Sequence, residues 1–221
     1  MKNLYITSDL HLFHKRIIVY CKRPYEFSWD GVVQMNEDIL KEFDKLPNGS
    51  TIINLGDVVL SSGITFEKYK EVVNRMKSND KKLWLVLGNH DKETISRCKD
   101  FYRFSNLEEL FTELGFDKVF LEPIEFNGYL LSHEPVYLKD GKNVHGHIHD
   151  CDMTYDYFCR ECENFAMMER VIKENITSNK ENFYIDTEKI SNPELTVNTD
   201  NYFNVCWDKH HRILPFEEVK L

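Results

Sequence analysis

An α/β sandwich is the architecture predicted for this 221-residue chain, on two observations. Strand-length apolar runs alternate with stretches of helical periodicity over residues 1–150, as in sheets covered by helices. Several of the runs also stop at polar residues, among them Gly-Asp and Gly-Asn-His, which is where open α/β sheets carry their ligands.

Residues 4–8 form a β-type run ending in polar side chains. Val32, Met35, Ile39, Leu40, Phe43 and Leu46 recur at helical spacing, and Pro47-Asn48-Gly49 stops that helix and turns the chain. Residues 51–55 make a second buried strand that leads straight into Gly56-Asp57. Phe66, Tyr69, Val72, Val73 and Met76 mark a second amphipathic helix, with Thr65 in the N-cap position. The run Leu83-Trp84-Leu85-Val86-Leu87 suits a strand buried on both faces and ends in Gly88-Asn89-His90-Asp91. Ser105-Asn106-Leu107-Glu108 has the form of a capping box, opening a short helix that Gly115 closes. Strand-like segments follow at 118–121, 129–132 and 142–145, and again at 202–207. Residues 151–198 differ in kind: they are rich in Asn, Glu and Tyr, with one amphipathic stretch at Phe165, Met168, Val171 and Ile172. They are expected to be an insertion on a single 1–221 domain, either a cap or an arm through which copies of the chain pair.

Hydrophobic residues make up 42% and charged residues 29%, ordinary globular usage that excludes disordered and collagen-like chains. No apolar stretch approaches the roughly 18 residues of a membrane span, and the opening MKNLYITSDL lacks a secretory segment. A cytoplasmic protein without a membrane partner is therefore expected. Its 28 basic and 37 acidic residues give a formal net charge of −9, the wrong sign for extended nucleic-acid binding. The six cysteines are expected to be reduced. Cys159 and Cys162 form one C-x-x-C with Cys151 upstream, but a structural zinc site needs a second pair.

Histidine placement is the most informative feature. Among the nine histidines, His133, His145, His147 and His149 crowd one short stretch, while His11, His14 and His90 stand just after expected strands. Asp9, Asp57 and Asn89 hold the same kind of position. Several strand ends thus send carboxylate, amide and imidazole groups toward what can be one point. Taken singly, Asp9-x-His11 and Gly56-Asp57 say little, since such fragments arise by chance or in ordinary turns. A second triplet, Asp208-x-His210, reads as surface. Gly146-His147-Ile148-His149 says more, because histidines at alternate positions of an extended chain project to one side.

In this order, Asp-x-His, Gly-Asp, Gly-Asn-His-Asp, a lone His and Gly-His-x-His, the motifs resemble those of the calcineurin-like metallophosphoesterases. The resemblance runs from Asp9 to His149, and the opening SDLHLFHKRIIVYCKRPYEF is similar to the small phosphoesterases of bacteria and their phages. It implies a four-layer αββα sandwich of two mixed sheets flanked by helices, built around two metal ions. The first ion would take Asp9, His11 and His149; the second would take Asn89, His133 and His147; Asp57 would bridge them. His90 would stabilise or protonate the leaving group without binding metal. Carboxylate, amide and imidazole donors suit divalent or trivalent transition ions, manganese foremost, with iron, zinc, nickel or cobalt as alternatives, and suit calcium poorly. In the implied reaction two ions about 3.5–4 Å apart bring the pKa of a shared water from about 15.7 toward neutrality. The resulting hydroxide attacks phosphorus in line, and His90 donates a proton to the departing oxygen.

Neighbouring residues carry weaker readings. His14 is a candidate phosphate contact, weighed against a structural hydrogen bond, and His145 is expected to pack within its strand. Asp91 should fix the Gly-Asn-His turn, and His210 and His211 read as surface residues. Arg16, Arg23 and Arg103 are cations able to meet phosphate. The Ser/Thr protein phosphatase branch carries Gly-Asp-x-x-Asp-Arg-Gly where this chain has Gly56-Asp57-Val58-Val59-Leu60-Ser61-Ser62. The Asp that pairs with the catalytic His there is missing, which argues against that role. The expectation is a hydrolase of a small phosphodiester, phosphomonoester or nucleotide. A nuclease on DNA or RNA and a catalytically silent scaffold are the alternatives.

Overall fold

Strands buried on both faces organise the first sheet. The computed structural model describes residues 3–61, 63–97, 104–136, 138, 141–151 and 198–221. Strands β1 (Leu4–Thr7), β2 (Thr51–Asn54), β3 (Lys82–Val86) and β4 (Lys118–Phe120) run parallel, and β9 (Leu214–Pro215) lies antiparallel along β1. The order is β4-β3-β2-β1-β9. Successive side chains of a strand point to opposite faces, so Ile52, Leu83 and Leu85 meet the helices while Ile6, Ile53 and Val86 meet the second sheet. That sheet runs β5 (Ile124–Phe126), β6 (Tyr129–Ser132), β7 (Asn143–His145), β8 (Tyr202–Asn204), with only β5–β6 antiparallel. Leu131, Val144, Val205 and Phe216 complete the core between the sheets. The architecture is the predicted one: two mixed sheets flanked by helices.

The helices follow their caps. After the single turn α1 (Ile17–Tyr20), α2 (Trp29–Asp44) starts ahead of the expected Val32 because the Ser28 hydroxyl accepts the Gly31 N–H at 3.0 Å. Thr65 caps α3 (Phe66–Met76) as expected, accepting the Lys68 N–H at 3.2 Å. Helix α4 (Asn89–Arg97) begins at once after β3 and had no separate signal in the sequence. For α5 (Leu107–Leu114) the capping box sits one residue later than read: Asn106 accepts the Glu109 N–H at 2.8 Å, and the Glu109 carboxylate accepts the Ser105 N–H. Gly115 ends α5 with φ at 114°, a left-handed C-cap.

The expected strand at 202–207 is shorter than read. It ends at Asn204, and the chain bends through Val205 and Cys206 into α6 (Trp207–His210). Cys206 makes an isolated bridge to Ser8, which draws the C-terminal segment onto the end of β1. Strands β5 and β9, of three and two residues, are too short for a periodic signal. Residues 152–197 lie outside the described residues, so the expected insertion, its pairing role and the Cys159/Cys162 pair do too. Among the described residues no helix is long and apolar enough to cross a membrane.

Candidate metal centre

The site lies just beyond the C-terminal ends of β1, β2, β3, β6 and β7. Asp9 and His11 follow β1, Asp57 follows β2, Asn89 follows β3, His133 follows β6, and His147 and His149 follow β7. These short loops are unusually bent: Asp9, His11, Asp57, His147 and His149 have φ of 58°, 50°, 57°, 70° and 53°. Few residues other than glycine enter that region, Asn, Asp and His more often than the rest, and five within one site need surroundings that hold them there. The loops do so mutually, through Asp9 N–H to Gly56 O and His11 N–H to Asp57 O, both 3.0 Å, and Gly146 N–H to His133 O at 2.8 Å. Contact between loops leaves no room for side chains at three glycines, Gly56 among them, whose Cβ would stand 2.5 Å from Gly88 N. A Cβ on Gly88 would stand 2.2 Å from Asp57 Oδ1, and one on Gly146 would stand 2.1 Å from Ser8 Oγ and 2.4 Å from Asp9 Oδ2.

Each buried carboxylate is held by one oxygen and offers the other. Asp9 Oδ2 accepts the His147 N–H at 2.8 Å and the Cys206 thiol at 3.1 Å, while Asp9 Oδ1 has no hydrogen-bond partner and stands 3.7 Å from His11 Nε2. Asp57 Oδ1 accepts the His90 N–H at the start of α4 at 2.9 Å. Its Oδ2 faces His11 Nε2 at 3.6 Å and His133 Nε2 at 3.4 Å, between two imidazoles. Asp91 stabilises this turn as expected. Its carboxylate accepts the N–H groups of Asp57 (2.8 Å), Val58 (3.1 Å) and Gly88 (2.9 Å), while burial and then the nearby Asp57 charge push it up to about 7.

The imidazoles face these oxygens. His133 donates Nδ1–H to Leu55 O at 2.7 Å, which directs Nε2 at Asn89 Oδ1 (2.9 Å) and His147 Nδ1 (3.3 Å). His149 donates Nδ1–H to Asp208 at 2.8 Å. Both ring nitrogens of His11 are buried without a partner. Burial alone would lower both, but His133 is raised to about 10, mainly by Asp57, and His149 to about 11, mainly by Asp208. Burial likewise works against the ionised carboxylates, yet the surrounding imidazoles hold Asp57 at about 2 and Asp9 well below the usual range. A proton on His133 or His149 thus takes the place of a positive charge. Asp9, His11 and His149 bring donor atoms within 4.8 Å of one another, and so do Asp9, Asp57 and His133. Unpartnered Asp9 Oδ1 and His11 Nε2, in an oxygen and imidazole donor set, fit transition-metal ions.

Around this centre the structure revises several readings. Arg23 is buried and unavailable to phosphate: it donates to Asp208 through Nε and Nη2 at 2.6 and 2.9 Å and to the carbonyls of Leu10 and Asp9. Asp208 is buried as well, so Asp208-x-His210 is no surface triplet. His210 is half-buried, stacked at 4° on Phe203 and bonded to Asn204 O at 2.7 Å. Two thiols that the ligand pattern did not include stand close by. Burial raises Cys206 well above its ordinary value, keeping it a neutral donor to Asp9, and also raises Cys21, beside His149. His145 is wholly buried in β7, where burial lowers it to about 4, as strand packing requires.

His90 stands at the mouth with its ring 5.4 Å from that of His11, and its Nδ1 is 2.6 Å from Glu93 one turn along α4. Glu93 escaped the sequence reading because the i, i+3 relation becomes visible only once α4 is known to start at Asn89. His14 lies between His11 (5.6 Å) and Tyr20 (6.3 Å), lowered to about 4 by burial and neighbouring cationic groups. His11, His14, His90, Glu93 and His149 line an open cleft of about 660 Å³, and Arg16 is at its edge. Arg103 lies outside the described residues.

Residues 2–165 match the family model described as calcineurin-like phosphoesterase. The chain is similar to the uncharacterized protein MJ1445 of Methanocaldococcus jannaschii, with 29% identity over 156 residues, 67% of this chain and 70% of that protein. Among solved structures it is similar to AQ665, a protein of unknown function from Aquifex aeolicus (TM-score 0.47, 17% identity, 96% of this chain and 94% of that one). It is also similar to the nuclease MPE of Pseudomonas putida (TM-score 0.42, 20% identity, 67% of this chain and 62% of that one).

Two outcomes follow from this geometry. Gly146→Ala forces its methyl into Ser8 and Asp9, and is expected to cost about 1–3 kcal/mol in urea unfolding and to weaken manganese binding. With His133 raised to about 10 and His149 to about 11, both are expected to be doubly protonated at pH 7 in metal-free protein, and a metal taken by them would have to displace those protons. Manganese binding should therefore release about two protons, and affinity should rise with pH through the His133 value of about 10 and on to the His149 value of about 11. Calorimetry in buffers of different ionisation enthalpy counts the protons, and release of none contradicts metal binding through protonated His133 and His149.

Proposed function

The chain belongs to the calcineurin-like phosphoesterase family, and from that premise we propose that it hydrolyses a small phosphodiester, phosphomonoester or nucleotide with two transition-metal ions, manganese foremost. One observation carries the reading: Asp9 and Asp57 each commit one oxygen to protein donors and present the other to imidazoles buried around it. Asp9, His11 and His149 are assigned to one ion, and Asn89, His133 and His147 to the other. Asp57 is assigned to both, because its Oδ2 lies between His11 and His133. When bound, the ions supply Lewis acidity toward phosphate oxygens and bring the pKa of water toward neutrality.

The remaining work falls to side chains. Engaged by Glu93 at Nδ1, His90 is fixed in orientation and left with Nε2 free to hold and give up a proton. That proton goes to the oxygen leaving phosphorus, so that no alkoxide is expelled. The carboxylate partner missing from the loop after Gly56-Asp57 is thereby supplied from α4. His14, kept neutral, is the candidate contact for a phosphate oxygen. A cleft of about 660 Å³ suits a ligand of nucleotide size rather than a long polymer.

Metal analysis, followed by a manganese assay over a monoester, a diester, nucleotides and cyclic nucleotides, tests the reading. His90→Ala should retain both metals and lose about 100-fold or more in kcat on an alkyl leaving group, with a smaller loss on 4-nitrophenol, which departs without a proton. Asp57→Asn should lose metal and activity together. Normal turnover of the alkyl ester by His90→Ala rules out the proton-donor role.

A further inference from the structure

Among the described residues, the exposed large hydrophobic side chains are Val19, Tyr20, Phe27, Trp29, Val33 and Leu121. All but Leu121 fall in residues 19–33, the segment beside the proposed metal centre. Single exposed apolar residues are common and need no explanation, whereas a cluster rimming a cleft does. Tyr20, Phe27 and Trp29 are 66%, 53% and 63% exposed, yet all three line the same cleft as His11, His90 and His149. A second hollow of about 620 Å³ adjoins the first and shares Phe13, Trp29 and Ser61 with it.

The charge beside these rings narrows what they receive. Lys15 Nζ lies 4.5 Å from the Phe27 ring centre and 5.9 Å from that of Trp29. The exposed Arg16 adjoins the same wall. The cleft therefore offers aromatic rings with a cation over them in the same hollow as the proposed phosphate site. An acyl chain would use the rings and leave the cations idle. A sugar phosphate would use the cations and leave the rings in water. A nucleotide uses the rings and the phosphate site together, its base stacked beside Lys15 and its phosphate at the proposed metal centre. The formal charge of −9 restricts such recognition to this local patch.

We propose that Tyr20, Phe27 and Trp29 form a base-stacking shelf, and that the preferred substrates are phosphoesters carrying a nucleobase, as free nucleotides or at the end of a short single strand. The proposal rests on the phosphoesterase reading and names the substrate class of the same site.

The test pairs two diesters of equal charge with the same leaving group, thymidine 5′-(4-nitrophenyl phosphate) and methyl 4-nitrophenyl phosphate. The manganese-loaded protein should prefer the thymidine ester by about tenfold or more in kcat/KM, mainly through KM. Trp29→Ala, a change at an exposed helix start, should bring that preference close to one. Equal kcat/KM for both esters in the unaltered protein overturns the shelf while leaving the phosphoesterase reading standing. A binding arm separates the opposite failure. Thymidine 5′-monophosphate should bind about tenfold tighter than ribose 5-phosphate by calorimetry, and should lose that margin in Trp29→Ala. Such a margin without hydrolysis of either ester supports the shelf and sinks the phosphoesterase reading. A thymidine dinucleotide binding tighter again assigns the source as a strand end; equal binding assigns free nucleotides. Sedimentation closes the last alternative: if Trp29→Ala dissociates a dimer and leaves nucleotide affinity unchanged, the face joins two copies and the shelf is overturned.

Discussion

Two buried carboxylates brought close to one another form the constraint on which this structure turns. Left alone, Asp9 and Asp57 repel, and each costs several kcal/mol to take out of water. The fold meets that cost with donors fixed in the backbone: the His147 N–H on Asp9 and the His90 N–H, at the start of α4, on Asp57. A helix N-terminus favours a negative charge placed there. The imidazoles of His11, His133 and His149 supply what the backbone does not. The same constraint accounts for the left-handed φ values, since only sharply bent loops bring five strand ends to one point. It accounts for Gly88 and Gly146 too, where any side chain would strike a carboxylate.

The centre is closed from the far end of the chain. Asp208, in α6, bonds both His149 and Arg23, and Arg23 reaches the carbonyls of Leu10 and Asp9. One buried network thus links the loop after β1, the loop after β7 and the C-terminal segment. A pair of this kind adds little net stability, but removing one partner leaves an uncompensated charge, so it specifies geometry. Holding Nδ1 of His149 orients the ring and sets which nitrogen remains available. Cys206 serves Asp9 from the same segment, and its buried thiol stays neutral.

Outside this network the cleft changes character over a short distance. Its floor is polar and charge-balanced, while its rim is aromatic and cationic. A formal net charge of −9 works against general attraction of polyanions, so a preference for phosphate would have to arise from local charge. On the proposed reading, a floor for a phosphoester and a rim for a flat ring would belong to one ligand, which would tie the chemistry of the site to its selectivity.

The sequence by itself determined the alternation of strands and helices, the apolar faces of α2 and α3, and the Asp, Asn and His residues placed after strands. Those features are local: periodicity, caps and motif spacing are written within a few residues of one another. Only the tertiary structure decided which donors pair. Arg23 and Asp208 stand 185 residues apart, a relation that no local pattern carries, and Asp208 therefore reads as a surface triplet. Glu93 becomes the partner of His90 only because a helix starts at Asn89, and the two-residue β9 is a strand only because β1 lies beside it. Residue types announce what chemistry a chain can hold; burial and long-range pairing settle which atoms are left free to perform it, because a donor's availability depends on every neighbour the fold brings to it.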